Sequence, residues 1–186
     1  MSLIAVIDTE TNWQDAVMSI GVVTASGITY RPIQERYYIL TPEFLSEGMY
    51  SDRLELTDPA KTRVLSRKAA MEDLKSFLRG ENVEKIFAYN ARFDCHHMPE
   101  LRSFLWYDIM KIAAYRQYND RISCCSEFCT TGRLKRNYGV EPILRCLRND
   151  PSYCETHNAL LDARDELQIM ELLRKPLSLY EQCAKV

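Results

Sequence analysis

The run Leu3-Ile4-Ala5-Val6-Ile7 places the tightest limit on how this chain folds. It is apolar throughout, with three Val or Ile among its five residues, and reads as a strand buried on both faces. It leads directly into Asp8-Thr9-Glu10-Thr11. Residues two apart in a strand project to one face, so Asp8 and Glu10 point together. Two carboxylates at the edge of a core are costly unless a cation neutralises them. Hard oxygen ligands of this kind suit a divalent metal. The bland alternative is a strand that runs into a solvated polar loop.

With 186 residues, the expectation is one domain spanning 1–186. Apolar residues are 46% and charged residues 27%, the balance of an ordinary globular protein. A net charge of −2 argues against a general nucleic-acid binder and leaves only a local basic patch or metals to hold such a ligand. The seven cysteines form no CxxC pair. Cys124, Cys125 and Cys129 with Cys95-His96-His97 lack zinc-finger spacing, so reduced thiols in a cytoplasmic protein are expected. The first strand begins too early for a secretory leader, and no apolar run approaches a membrane span, so no membrane partner is expected.

Along the chain, Ala16–Val23 and Ile28–Leu40 read as second and third strands of an antiparallel meander. Thr41–Arg63 is punctuated by Pro42, Gly48 and Pro59 and reads as a long connection with one helical turn. The spacing of Ala70, Leu74, Phe77 and Leu78 predicts a helix from Ser66 to Gly80. Val83–Tyr89 is a fourth strand, and strand–helix–strand signals parallel pairing. Asn90 is a candidate N-cap for a helix carrying Asp94. Phe104–Asp108 reads as a fifth strand, Ile109–Tyr118 and Cys124–Asn137 as helices, and Val140–Cys154 as loop with local helix. His157–Arg174 is strongly helical, and Leu177–Cys183 a short last helix. The sum is an α/β fold: a mixed five-stranded sheet, three strands antiparallel and the others parallel, with helices on both faces. Ligands in such sheets collect at the carboxyl ends of strands, where Asp8 and Glu10 stand.

Further acidic groups point to the same place. On the last long helix Arg164, Gln168 and Glu171 form a polar stripe, and Asp162 lies about 150° from its centre, on the face of Ile169 and Leu173. An inward carboxylate there needs a partner. Favourable placement in the first turn by the helix dipole is the competing explanation, for Asp162 as for Asp94. His157 precedes Asp162 by five residues, about 140° of helix, so it reaches the same site only from the loop entering the helix. A histidine there suits a base that takes and releases protons.

Taken in order, Asp8-Thr9-Glu10-Thr11, Asn90-Ala91-Arg92-Phe93-Asp94 and His157-Asn158-Ala159-Leu160-Leu161-Asp162-Ala163 resemble the motifs of the DnaQ-like 3′–5′ exonucleases of the DEDDh class. Ser19-Ile20-Gly21 and Tyr107-Asp108 also look like family positions, so the likeness covers nearly the whole chain. The resemblance implies an RNase H-like fold and a pair of Mg²⁺ or Mn²⁺ ions. Asp8 would bridge the two ions, Glu10 and Asp162 would complete the ligands of the first, and Asp94 would support the second. His157 would be the general base. Thr9, Thr11 and Asn90 would meet the substrate, the 3′ end of single-stranded DNA or RNA, releasing nucleoside 5′-monophosphates. Nothing in the sequence chooses between DNA and RNA or names a polymerase partner.

The chain departs from the family pattern at Tyr89, where many relatives carry His, and at Asn12-Trp13, where Thr-Gly is common. Trp13 is a candidate for stacking on a base or for a core or lid position. Arg133, Lys135, Arg136, Arg145 and Arg148 form a cluster able to track a backbone, or a solvated basic face. Two other readings compete: a binding module that keeps the fold and tethers nucleic acid without cutting it, and an aspartyl-phosphate phosphohydrolase. The second lacks its DxD start, since Glu10 stands there. Walker and GxGxxG loops are absent.

Overall fold

The computed structural model describes residues 3–56 and 61–186. Six strands build one sheet: β1 (Leu3–Thr11), β2 (Val17–Ser26), β3 (Pro32–Thr41), β4 (Thr62–Ser66), β5 (Lys85–Ala88) and β6 (Leu105–Asp108). Their spatial order is β4-β3-β2-β1-β5-β6. β1, β2 and β3 pair antiparallel, whereas β4 runs parallel to β3, and β5 and β6 run parallel to β1. The mixed architecture is the expected one, with a sixth strand added. β4 straddles the end of the stretch read from sequence as connection, Thr41–Arg63, and the start of the helix expected from Ser66. Its residues, Thr-Arg-Val-Leu-Ser, are short, charged and largely exposed, so no hydrophobic period marks it. Only the backbone ladder to Tyr37–Thr41 makes it a strand. The connection before it holds two 3₁₀ turns, Glu43–Leu45 and Ser51–Leu56, and residues 57–60 fall outside the described part.

Helices cover both faces. α1 (Arg67–Gly80) starts at Ser66, whose hydroxyl accepts from the Ala69 amide, and buries Ala70, Met71, Leu74, Phe77 and Leu78 against Ala5, Ile7, Val22 and Ile86. α2 (Arg92–His97) lies on the same side. α5 (Ala159–Leu173) packs on the opposite face, where Leu160, Ala163, Leu167 and Met170 share a core with Ile4, Val6, Val23 and Phe87. The two-residue alternation of β1 thus sends even-numbered side chains toward α5 and odd-numbered ones toward α1 and α2. α3 (Met110–Ala113), α4 (Val140–Arg148) and α6 (Leu177–Cys183) complete the helices.

Three expected elements differ. The helix over Ile109–Tyr118 shortens to four residues. Cys124–Asn137 is not helical: it folds as turns tied by single bridges, Tyr115 to Arg133 and Phe128 to Leu134, with Gly132 at φ +88°. A Cβ at Gly132 would meet the Gln117 side chain at 2.3 Å. Val140–Arg148, by contrast, is a full helix, because Val140, Ile143, Leu144 and Leu147 line one face and Pro142 sits in the first turn, where no amide is needed. No helix among the described residues is long and apolar enough to cross a membrane.

Candidate active site

β1 delivers Asp8 and Glu10 to the carboxyl end of the sheet, on the face that α5 covers. The ladder to β2 shifts register between Glu10 and Thr11, and a bulge of this kind re-aims the side chains beside it. Gly21 pairs with Asp8 across the ladder. A Cβ at Gly21 would lie 2.1 Å from the Ala159 carbonyl oxygen, so only glycine lets the start of α5 approach the sheet there. Asn158 caps that helix, its side-chain oxygen accepting from the amides of Leu160 and Leu161 while its amide donates to the Arg53 carbonyl at 2.8 Å. Asp162, in the first turn, is buried and faces the sheet. His157 stands outside the helix at φ +57°, on the entering loop.

Glu10, His157 and Asp162 each offer a ligand atom within 4.8 Å of the others. Asp94 reaches the same edge from α2, where it is buried and accepts a 2.8 Å hydrogen bond from the Thr9 hydroxyl, an odd-numbered β1 side chain. α2 is held in turn by Arg67, which grips Glu100 at 2.9 and 3.0 Å and donates to the His97 carbonyl. His97 links α2 to the loop after β1 through a 3.0 Å contact with Asp15. Asn90 is not the N-cap that its position led us to expect. It takes φ +61°, its amide donates to the Asp108 carboxylate at 3.0 Å, and its side chain makes no cap. The turn needs a left-handed residue more than a capping one, and Asn tolerates that backbone. Thr11 ends β1 beside the loop that contains Gly48. Trp13 is 63% exposed, so it is not a core aromatic.

Two more carboxylates join the group, and neither was singled out from the sequence. Glu166 is buried one turn beyond Asp162 and accepts from the Tyr89 amide at 2.9 Å. Its i, i+4 spacing from Asp162 was a usable signal. Glu155, on the loop before His157, presses its charge on both Glu10 and Asp162. Tyr50, from the connection after β3, stacks on His157.

The electrostatics follow from this crowding. Burial, and then the charges of Glu166, Asp94, Glu10 and Asp162, push Asp8 well above the usual carboxylate range. Glu10 is pushed up to about 7 by burial, Glu155 and Asp94. Asp94 also rises to about 7, chiefly by burial, with the Thr9 hydrogen bond pulling the other way. Asp162 rises to about 8 by burial, Glu155 and Glu10. His157 moves down instead, because burial and Arg53 outweigh the pull of Glu141. Among the described residues no Lys or Arg forms an ion pair with Asp8, Glu10, Asp94 or Asp162. Asp162 Oδ1 is buried with no hydrogen-bond partner. Hard oxygens that repel one another, an orphaned buried acceptor and a neutral imidazole make a donor set that fits divalent cations.

No family model and no curated protein matches the sequence. Solved structures do. The chain aligns over 97% of its length with 97% of exonuclease X, solved with 5′-overhanging duplex DNA, at 20% identity and TM-score 0.56. It aligns over 98% of its length with 94% of the nuclease domain of 3′hExo, a DEDDh family member bound to rAMP, at 12% identity and TM-score 0.66. For E. coli exonuclease I with a dA16 oligonucleotide the figures are 98% of this chain, 43% of that one, 14% identity and TM-score 0.63. The fold is RNase H-like, as in these exonucleases. On this RNase H-like sheet the carboxylates occupy the exit of the central strand β1, helix α2 after β5, and the loop and first two turns of α5.

Proposed function

We propose that the protein is a metal-dependent 3′–5′ exonuclease that removes nucleoside 5′-monophosphates from single-stranded DNA or RNA, and that the chain is a single catalytic domain. The observation that carries the reading is the meeting of Asp8, Glu10, Asp94, His157 and Asp162 at one sheet edge with no Lys or Arg among the described residues paired to the carboxylates. Asp8, which burial and then Glu166, Asp94, Glu10 and Asp162 raise, would hold both ions, with Glu10 and Asp162 as further ligands of the first and Asp94 as support for the second. Two divalent ions in such a cluster supply electrophilic stabilisation of an in-line displacement and a more acidic water.

The chain's own groups then perform the following work. His157, held neutral at pH 7 by its lowered pKa, accepts the proton of the attacking water at a ring nitrogen. The water oxygen bonds to phosphorus, the P–O3′ bond breaks, and the 3′ oxygen leaves to be protonated from solvent. Thr9 positions Asp94 through its hydroxyl, while the backbone near Thr9 and Thr11 and the exposed Asn90 line the approach of the terminal sugar.

The test is a panel of 5′-labelled DNA and RNA oligomers with Mg²⁺, Mn²⁺ or a chelator. The expected result is a ladder shortening from the 3′ end with either ion and none with the chelator. Tight binding in Mn²⁺ without any shortening would replace the enzyme by a binding module.

A further inference from the structure

Residues 121–137, of which Cys124–Asn137 is expected from sequence as helix, instead form one wall of an open groove whose other wall is α4. The groove has a volume of about 580 Å³. That is some twenty times the share of liquid volume that a water takes, about 30 Å³, and far more than an isolated anion fills. Arg121, Arg136 and Arg145 line it over an apolar floor that includes Leu134 and Ile143, and Glu127 is the one acid among the described residues that line it. The chain as a whole carries −2, yet Lys111 to Arg148 holds eight basic residues against three acidic ones. The positive charge is therefore concentrated on this side.

The basic residues divide by what they touch. Arg148 is taken up by Asp165 and Gln168 of α5, and Arg133 lies over the Tyr138 ring. Arg145 braces the catalytic loop: it pairs with Glu141 at 2.9 Å and donates to the Tyr153 carbonyl at 2.7 Å. The side chains of Arg121 and Arg136, both exposed, have no ion-pair or hydrogen-bond partner among the described residues. The groove also adjoins the carboxylate edge. Glu141 accepts from the Glu155 amide at 3.0 Å, and the Tyr138 carbonyl accepts from the hydroxyl of Tyr89, the residue whose amide binds Glu166. One wall of the groove is thus the support of the loop that presents His157.

We infer that this groove holds the phosphodiester backbone of the substrate strand upstream of its 3′ end, with Arg121 and Arg136 as the phosphate contacts. The inference rests on the exonuclease reading for the direction of the strand. Its charge logic is independent: unpaired guanidiniums beside a partly apolar floor fit a chain of phosphates with bases beside it.

The experiment compares the full chain with the double variant Arg121→Gln/Arg136→Gln, and with Arg121→Glu/Arg136→Glu, on a labelled oligomer of about 20 nucleotides and on a trinucleotide, as DNA and as RNA. Equilibrium binding is followed by anisotropy in Ca²⁺ at several salt concentrations, so the result does not depend on cleavage. In the glutamine variant, affinity for the long strand should fall about tenfold and its salt slope flatten by about 1.4, the value for two lost single-strand phosphate contacts. Trinucleotide binding should be unchanged, and so should its turnover if the wild type cleaves it. The glutamate variant should lose more on the long strand alone. Equal losses on both lengths, or no loss on the long strand in variants whose thermal unfolding matches the wild type, would overturn the groove assignment. Failure of the wild type to cleave anything would overturn the exonuclease reading instead, and the binding comparison would still decide the groove.

Discussion

The Tyr50 ring lies parallel to the His157 imidazole, with centroids 3.9 Å apart and planes 12° from each other. The two residues come from different loops, one between β3 and β4 and one before α5. His157 has few other restraints: it sits outside the helix with a left-handed backbone, and no hydrogen bond to its ring is present among the described residues. The stack orients the imidazole proposed as the base. An aromatic pair of this kind contributes roughly 0.5–1.5 kcal/mol. Tyr50→Leu should therefore lower kcat up to about tenfold with KM nearly unchanged, and Tyr50→Phe should restore it, in steady-state assays on a short oligomer. An equal loss in the Phe variant would assign the effect to the hydroxyl rather than to the ring.

His157→Ala removes the proposed proton acceptor and leaves the four carboxylates in place. Turnover should fall by about 10²–10⁴, the usual contribution of general base catalysis. The rise in melting temperature on adding Mn²⁺ should persist, because the carboxylates provide most of the donor set. Calorimetric unfolding with and without the ion separates the two effects.

Stability and metal binding should be linked through pH. In the folded chain Glu10 and Asp94 titrate near 7 and Asp162 near 8, all above the usual range. A raised carboxylate favours the fold below its unfolded pKa, about 4, and that contribution is lost as pH rises through the folded value. The metal-free protein should lose stability between about pH 4 and 8, while Mn²⁺ affinity rises across the upper part of that window. At a hundredfold excess over Kd the ion adds about 2.7 kcal/mol, or about 5–10 °C in Tm for a chain of this size. Asp162→Asn should raise the metal-free Tm above pH 8 while abolishing activity, since it removes a carboxylate charge that burial and the neighbouring acids disfavour. Thermal melts over a pH series check both expectations.

Gly21→Ala tests how the two halves of the site are joined. The added methyl would overlap the Ala159 backbone, which has no flexible end to move away. Overpacking costs about 1–3 kcal/mol, and a backbone obstacle puts this change at the upper end, or about 6–12 °C in Tm. Activity should fall further than stability, because α5 must move and carry Asp162 and His157 with it. Unfolding and turnover measured at a temperature where the variant remains folded distinguish the two losses.

Much of this site was legible before any coordinates. The β1 run, the same-face pairing of Asp8 with Glu10, the inward side of the helix that carries Asp162 and the loop position of His157 all follow from spacing between residues close in sequence. Backbone geometry alone converts that spacing into direction, with a period of two in strands and about 3.6 in helices. Tertiary structure decided the rest. It made Thr62–Ser66 a strand through pairing with β3, turned the Cys124–Asn137 stretch into a groove wall, and placed Asn90 in a turn held by Asp108. It also brought Glu155 and Glu166 into the carboxylate cluster and set Tyr50 against His157, a contact between residues 107 positions apart. Such contacts depend on how faces pack across the sheet, and no local period encodes which distant side chains will share a burial site.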